Sequence, residues 1–249
     1  LAPMVLYLKV WKSRTLPGYL FMNYISIVIP LYNEESNIES LHQEIIESLK
    51  EKLKYEIIYV NDGSIDNTNK VLKNLSHSQN LKIISHKKNL GQSKSILSGI
   101  NNSNFETIVT LDGDGQNVPK DIEKLANIFF SSKEIFLVGG IRINRKDSLV
   151  KIFSSKIANN VRILLLDDDC IDTGCGLKIF SKEAFKKIPF FDGMHRFLPA
   201  LFKGFGYRTT FVEVNHRPRL KGITKYGTTK RLIKGIFDII RVKKMLRKK

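Results

Sequence analysis

Four short apolar runs alternating with three helical stretches constrain this chain more than anything else in it. Ile25-Ser26-Ile27-Val28-Ile29-Pro30-Leu31 is rich in β-branched residues and stops at a proline followed by Asn33-Glu34-Glu35, the pattern of a buried strand. Ser36 with Glu39 three residues later has the form of a capping box, and Ile38, Leu41, Ile45, Leu49 and Leu53 then recur at helical spacing. Tyr55 to Val60 is a second strand, ending in the turn-forming cluster Asn61-Asp62-Gly63-Ser64 and leading into a helix over Asp66 to Leu75. A strand near Leu81 to Ser85, a helix from Gln92 to Asn102 and a strand from Thr107 to Leu111 complete the order βαβαβαβ. This alternation predicts an α/β fold: a mostly parallel central sheet flanked by helices, with ligands outside the carboxyl ends of the strands. Beyond Gly140 the pattern loosens, with a helix expected over Leu149 to Leu166 and strands near Leu177 to Phe180 and Arg208 to Val214.

The strand ends carry the chemistry. Asp112-Gly113-Asp114-Gly115-Gln116 places two carboxylates at i and i+2 where a buried strand opens into glycine-rich backbone. Such a pair can share a hard divalent cation, Mg2+ or Mn2+, with Gln116 adding a carbonyl oxygen, and the ion would neutralise a diphosphate. An isolated Asp-x-Asp is usually only a solvated turn; the preceding strand and the other polar tips, Asn33/Glu34 and Asp62, raise its weight. Asp62 alone reads equally as a turn residue, Glu34 as a first-turn acid complementing a helix dipole, and Tyr32 as a core aromatic. No Gly-x-Gly-x-x-Gly follows the first strand and no Gly-x-x-x-x-Gly-Lys-Ser/Thr occurs, so neither a dinucleotide fold nor a P-loop is supported.

The 249 residues suffice for one α/β domain with appendages. The longest apolar runs fall far short of the roughly 18 to 20 residues needed to cross a bilayer as a helix. Residues 1–23 lack a signal-peptide pattern. They begin with Leu while Met22 stands just before the first strand, as in a translated upstream region; a short interfacial anchor around Val5, Leu6 and Trp11 is the alternative. Cys170 and Cys175 have no second Cys/His pair at metal-finger spacing and read as buried reduced thiols, in keeping with a cytosolic compartment. The net charge of +17 is concentrated in residues 203–249, which hold fifteen Lys/Arg against Glu213 and Asp238.

Taken together, Pro30-Leu31-Tyr32-Asn33-Glu34, Asn61-Asp62-Gly63-Ser64 and Asp112-Gly113-Asp114-Gly115-Gln116 resemble the family-2 glycosyltransferases of the GT-A fold, in particular the dolichol-phosphate mannosyltransferase group and its bacterial polyprenyl-phosphate relatives. The resemblance runs from about Tyr24 to Gly227, giving three expected regions: an extension over 1–23, a GT-A domain over 24–227 and a basic amphipathic tail over 228–249. It implies that Pro30, Tyr32, Glu34 and Asp62 hold the donor nucleoside. Asp112, Asp114 and Gln116 would bind the metal and the donor diphosphate. Arg219-Leu220-Lys221-Gly222-Ile223-Thr224-Lys225 matches a later Arg-x-x-Gly-x-Ser-Lys motif with Thr for Ser, and by it Arg219 and Lys225 would close over the diphosphate. Arg142, Arg145, Lys151 and Lys156 lie where the family grips the acceptor phosphate, and Asp112, Asp114 and Arg142 would carry the catalytic step. His195-Arg196 occupies positions where relatives using hydroxyl acceptors carry an acidic base. A phosphate oxygen, already ionised near neutral pH, needs none, so the exchange favours a phosphate acceptor.

In the tail, Leu232, Ile233, Ile236, Phe237 and Ile240 recur at helical spacing among Lys230, Arg231, Lys234, Arg241, Lys243 and Lys244, the pattern of a helix lying on an anionic membrane or packing on its own domain. The expectation is a peripheral enzyme on the cytoplasmic face of a membrane, with a possible membrane-subunit partner, transferring sugar from a GDP- or UDP-linked donor to a polyprenyl or dolichyl phosphate. One rival is a family-2 enzyme extending a cell-surface saccharide. The other is a basic nucleic-acid-binding module, against which the acidic strand ends speak, since carboxylates repel a phosphate backbone.

Overall fold

A computed structural model describes residues 23–143, 159–218 and 228–247, and only the backbone of 228–234. The strands are β1 (Tyr24–Leu31), β2 (Lys54–Asn61), β3 (Leu81–Ser85), β4 (Thr107–Thr110), β5 (Ile135–Arg142), β6 (Lys178–Ser181) and β7 (Arg208–Val214). The helices are α1 (Ile38–Leu49), α2 (Thr68–Leu75), α3 (Gln92–Asn101), α4 (Asp121–Ser131), α5 (159–166), α6 (Lys182–Lys186), α7 (Leu198–Gly204) and α8 (Thr228–Arg247). The seven strands form one sheet in the order β3-β2-β1-β4-β6-β5-β7. β6 runs against β4 and β5, whereas the other neighbouring pairs are parallel.

Alternation along the central strands builds two cores. Ile25, Ile27 and Ile29 of β1, with Ile57 and Tyr59 of β2, face α1, α2 and α4. Val28, Ile58 and Val60 face the opposite layer, where α3, α6, α7 and the end of α8 pack. Both faces are covered, which is why these strands read as continuous apolar runs. α3 lies close to the sheet because position 99 is glycine: a Cβ there would stand 2.3 Å from Val28 Cγ1.

One expectation needs correction. The capping box does not form: α1 begins after Asn37, with no side-chain hydrogen bond capping it, while Asn37 Nδ2 donates to Glu34 Oε2 at 2.7 Å. The loop geometry at Asn33, whose φ is +52°, delays the helix by one residue. Between Gln116 and Gly140 the structure contains α4 and β5, both absent from the sequence reading. Of the helix expected over Leu149 to Leu166, residues 159–166 are helical and the rest lies outside the described residues.

Candidate active site

The carboxyl ends of β3, β2, β1 and β4 lie side by side, and their loops are stitched together before any ligand is considered. Asn33 N donates to Ser64 Oγ at 2.9 Å and Ile65 N to Asn33 Oδ1 at 2.9 Å. Glu34 N donates to Thr68 Oγ1 and Asn67 N to Glu35 Oε2, so the loop after β1 is locked to the loop after β2. Glu34 is buried, whereas Pro30 and Tyr32 are half-buried at the rim.

Asp62 is 3% exposed and organises the next loop. Its Oδ1 accepts from His86 Nδ1 at 2.7 Å and from Leu90 N at 2.9 Å, and its Oδ2 accepts from Gly91 N at 2.8 Å. A carboxylate has about four acceptor directions, so about one remains for a ligand.

The residue after Gly91 reaches the metal-type cluster. Gln92 Nε2 donates to Asp112 Oδ1 at 2.9 Å, and one residue further Ser93 Oγ accepts from Gly193 N at 3.0 Å and meets His195 Nδ1 at 2.7 Å. The stretch Leu90–Ser93 thus touches Asp62, Asp112 and the 193–195 loop in succession. Sequence reasoning missed Gln92 and Ser93, which look like ordinary first-turn helix residues.

Asp112 and Asp114 share the loop after β4, where Gln116 N donates to Asp114 Oδ1 at 3.1 Å. Burial and then the neighbouring Asp114 push the Asp112 carboxyl up to about 6, against the pull of Lys178, Arg142 and the Gln92 hydrogen bond. Two partly buried carboxylates crowded in this way suit a divalent cation, whose charge would relieve both penalties. Among the described residues no third Asp, Glu, His or Cys joins them in a metal-binding group, so Gln116 and diphosphate oxygens would complete an all-oxygen shell. Gln116 is itself tied to the loop after β7: Arg217 N donates to its carbonyl, and the Arg217 guanidinium bonds Gly115 O and both carboxylate oxygens of Glu44.

The floor under Asp112 is Gly176, where a Cβ would lie 2.1 Å from Asp112 Oδ2. Next to it, buried Lys178 donates to Cys175 O. Arg142, at the end of β5, is gripped by Asp172: its Nε and Nη2 donate at 2.7 Å each, and its backbone N at 3.1 Å. Asp172, Gly176 and Lys178 were also missed, the 170–176 stretch having been read only for its cysteines. Those are free and buried as expected, and burial pushes both thiols up to about 11, which keeps them unreactive. Arg145, Lys151, Lys156, Arg219 and Lys225 lie outside the described residues.

With this arrangement in view, the model of Glycosyl transferase family 2 matches residues 26–189. The chain belongs to glycosyl transferase family 2. It is 32% identical over 222 residues to the undecaprenyl-phosphate 4-deoxy-4-formamido-L-arabinose transferase of Proteus mirabilis (strain HI4320), covering 88% of this chain and 67% of that protein. It is 32% identical over 219 residues to the transferase of the same name from Yersinia pestis (strain Pestoides F), covering 87% and 66%. The chain thus spans about two thirds of the length of these relatives. Among solved structures, glucosyl-3-phosphoglycerate synthase from Mycobacterium tuberculosis in complex with Mn2+, UDP and glucosyl-3-phosphoglycerate superposes with a TM-score of 0.68 at 18% identity, covering 88% of this chain and 78% of that one. That likeness is one of fold, the GT-A fold expected from the sequence, and the family-2 chain described here is a glycosyltransferase.

Proposed function

We propose that the chain moves a sugar from a nucleoside diphosphate donor to a polyprenyl phosphate at the cytoplasmic face of a membrane, with inversion at the anomeric carbon. The observation that carries this reading is the sequence of contacts through Leu90–Ser93, which ties Asp62, Asp112 and the 193–195 loop to one short stretch of chain. The relatives' names support the acceptor class. At 32% identity they speak more strongly for a lipid phosphate than for one particular sugar.

In this reading Pro30, Tyr32, Glu34 and the remaining acceptor direction of Asp62 line the nucleoside side. Asp112, Asp114 and Gln116 would hold Mg2+ or Mn2+, which when bound stabilises negative charge on the diphosphate. Arg219 and Lys225 would add positive charge over the same group. Arg142, oriented by Asp172, presents the acceptor phosphate, with Arg145, Lys151 and Lys156 as further cations. One acceptor oxygen forms the bond to the anomeric carbon as the bond to the diphosphate breaks, and the nucleoside diphosphate leaves. Because the attacking oxygen is already ionised, no base is required, and alignment and charge stabilisation supply the acceleration.

The test is transfer of radiolabel from a panel of UDP- and GDP-sugars, with Mn2+ and polyprenyl phosphate, into an organic extract. The expected result is labelled lipid from the parent chain and a loss of about a hundredfold or more in Asp114→Asn. Label confined to a water-soluble glycan, or full activity in Asp114→Asn, would overturn the reading.

A further inference from the structure

The loop after β7 is laid along the loop that carries Asp114 and Gln116, and one residue makes most of the contact. Arg217 N donates to the Gln116 carbonyl at 3.1 Å, and Gln116 Nε2 donates to the Arg217 carbonyl at 3.4 Å. The Arg217 guanidinium donates through Nε to Gly115 O. Its outer nitrogens grip Glu44 of α1, Nη1 to Oε1 at 3.1 Å and Nη2 to Oε2 at 2.6 Å. The seam continues beyond this pair. Asn117 and His216 form an antiparallel bridge, and Asn215 N and Nδ2 donate at 2.6 and 3.1 Å to buried Asp121 at the start of α4. Transfer as proposed makes no use of Arg217 or Glu44.

What Arg217 holds is the path of the chain from one candidate ligand to the other. Gly115, between Asp114 and Gln116, has φ +74°, a left-handed turn that glycine adopts without a steric penalty. Arg217 takes the carbonyls of both 115 and 116, and its own carbonyl takes the Gln116 amide N–H. With Nε2 so directed, the amide presents its oxygen, the atom a hard cation prefers, on the opposite side. Glu44 in turn fixes the guanidinium: the pair is half-buried and met on both oxygens, and a planar fork gripped in this way keeps its direction. We propose that Arg217, held by Glu44, is a positioning residue for the metal site, fixing the backbone and the amide of Gln116 so that Asp114 and Gln116 meet one divalent cation. This rests on the metal part of the reading above and not on the identity of the acceptor. Groups standing behind a metal's ligands typically change its affinity about 10- to 100-fold. The sign of the effect separates position from charge. A cation beside a cation site repels the ion, so loss of the Arg217 charge alone would tighten binding, whereas loss of position weakens it.

The experiment measures Mn2+ binding to the whole chain by calorimetry, alone and then with UDP or GDP, for the parent, Arg217→Gln, Glu44→Gln and the double variant. Melting temperatures are taken in chelator. The expected result is Mn2+ binding weakened about tenfold or more in Arg217→Gln, with its melting temperature in chelator close to the parent's. The double variant is expected to bind no more weakly than Arg217→Gln, because Glu44 acts through Arg217. An affinity in Arg217→Gln within about twofold of the parent's, or tighter, overturns the proposal, as do losses that add in full in the double variant. A parent that binds no Mn2+ in any of the three conditions overturns the metal reading itself, and this proposal with it. Should Arg217→Gln fail to fold, Arg217→Lys, which keeps the charge but not the fork, is read in the same way.

Discussion

Gly176 is where a single added atom does most to the site. An alanine there would drive its Cβ into the Asp112 carboxylate, the movable end of a side chain, rather than into backbone. Gly176→Ala is therefore expected to fold, with a melting temperature near the parent's, and to lose metal-stimulated transfer by at least about tenfold, the displaced carboxylate no longer meeting the ion. Asp112 supplies a second prediction with a defined sign. Its carboxyl, pushed up to about 6 in the fold, binds a proton more readily there than in the unfolded chain. The group thus contributes stability that is fully present below its ordinary value of 3.8 and is lost as pH rises through about 6. In chelator at pH 7.5, Asp112→Asn is expected to melt a few degrees above the parent, the difference shrinking towards zero in acid. Its transfer activity is nevertheless expected to be lost.

At the scale of elements, the segment that carries Asp172 is held by one buried arginine. Arg162 Nε donates to Asp168 Oδ2 at 2.7 Å, and Nη1 to Asn159 Oδ1 and Thr173 Oγ1 at 2.6 and 2.7 Å, while Nη2 meets the Cys170 carbonyl. Asp168 is 0% exposed, so removing its partner leaves a buried charge. Arg162→Ala is expected to cost about 3–5 kcal/mol in urea unfolding, and Arg162→Met/Asp168→Leu to recover most of it. β1, β2 and the strand-end motifs were legible in the sequence because their signals are local: β-branched runs bounded by turn residues. β5 was not, because Gly139-Gly140 near its end reads as a break. In the fold those glycines admit Phe211, Cys175 and Val214 into close contact. The reversal of β6 was likewise invisible, since strand direction depends on the connection through 143–177 and not on the residues of Lys178–Ser181. Gln92, Asp172 and Gly176 meet their partners 20, 30 and 64 positions away, and nothing in their own neighbourhoods announces it.

For the molecule as a whole, the charge of +17 and the absence, among the described helices, of any long and apolar enough to cross a membrane set the terms of association. α8 packs its inner side on the domain through Val242 and Asp238, as expected of a tail helix that packs on its own domain. Flotation on vesicles rich in phosphatidylglycerol is expected to weaken with added salt, more steeply in the parent than in a variant with Lys243, Lys244 and Arg247 changed to Gln, as a screened attraction must. Leu90–Ser93 has a wider reach than its four residues suggest. Because consecutive positions there brace Asp62, Asp112 and the 193–195 loop, a change at Gln92 or Ser93 cannot shift one of the three in isolation. If the proposed function holds, a substitution that loosens this stretch is expected to alter donor and acceptor preference together.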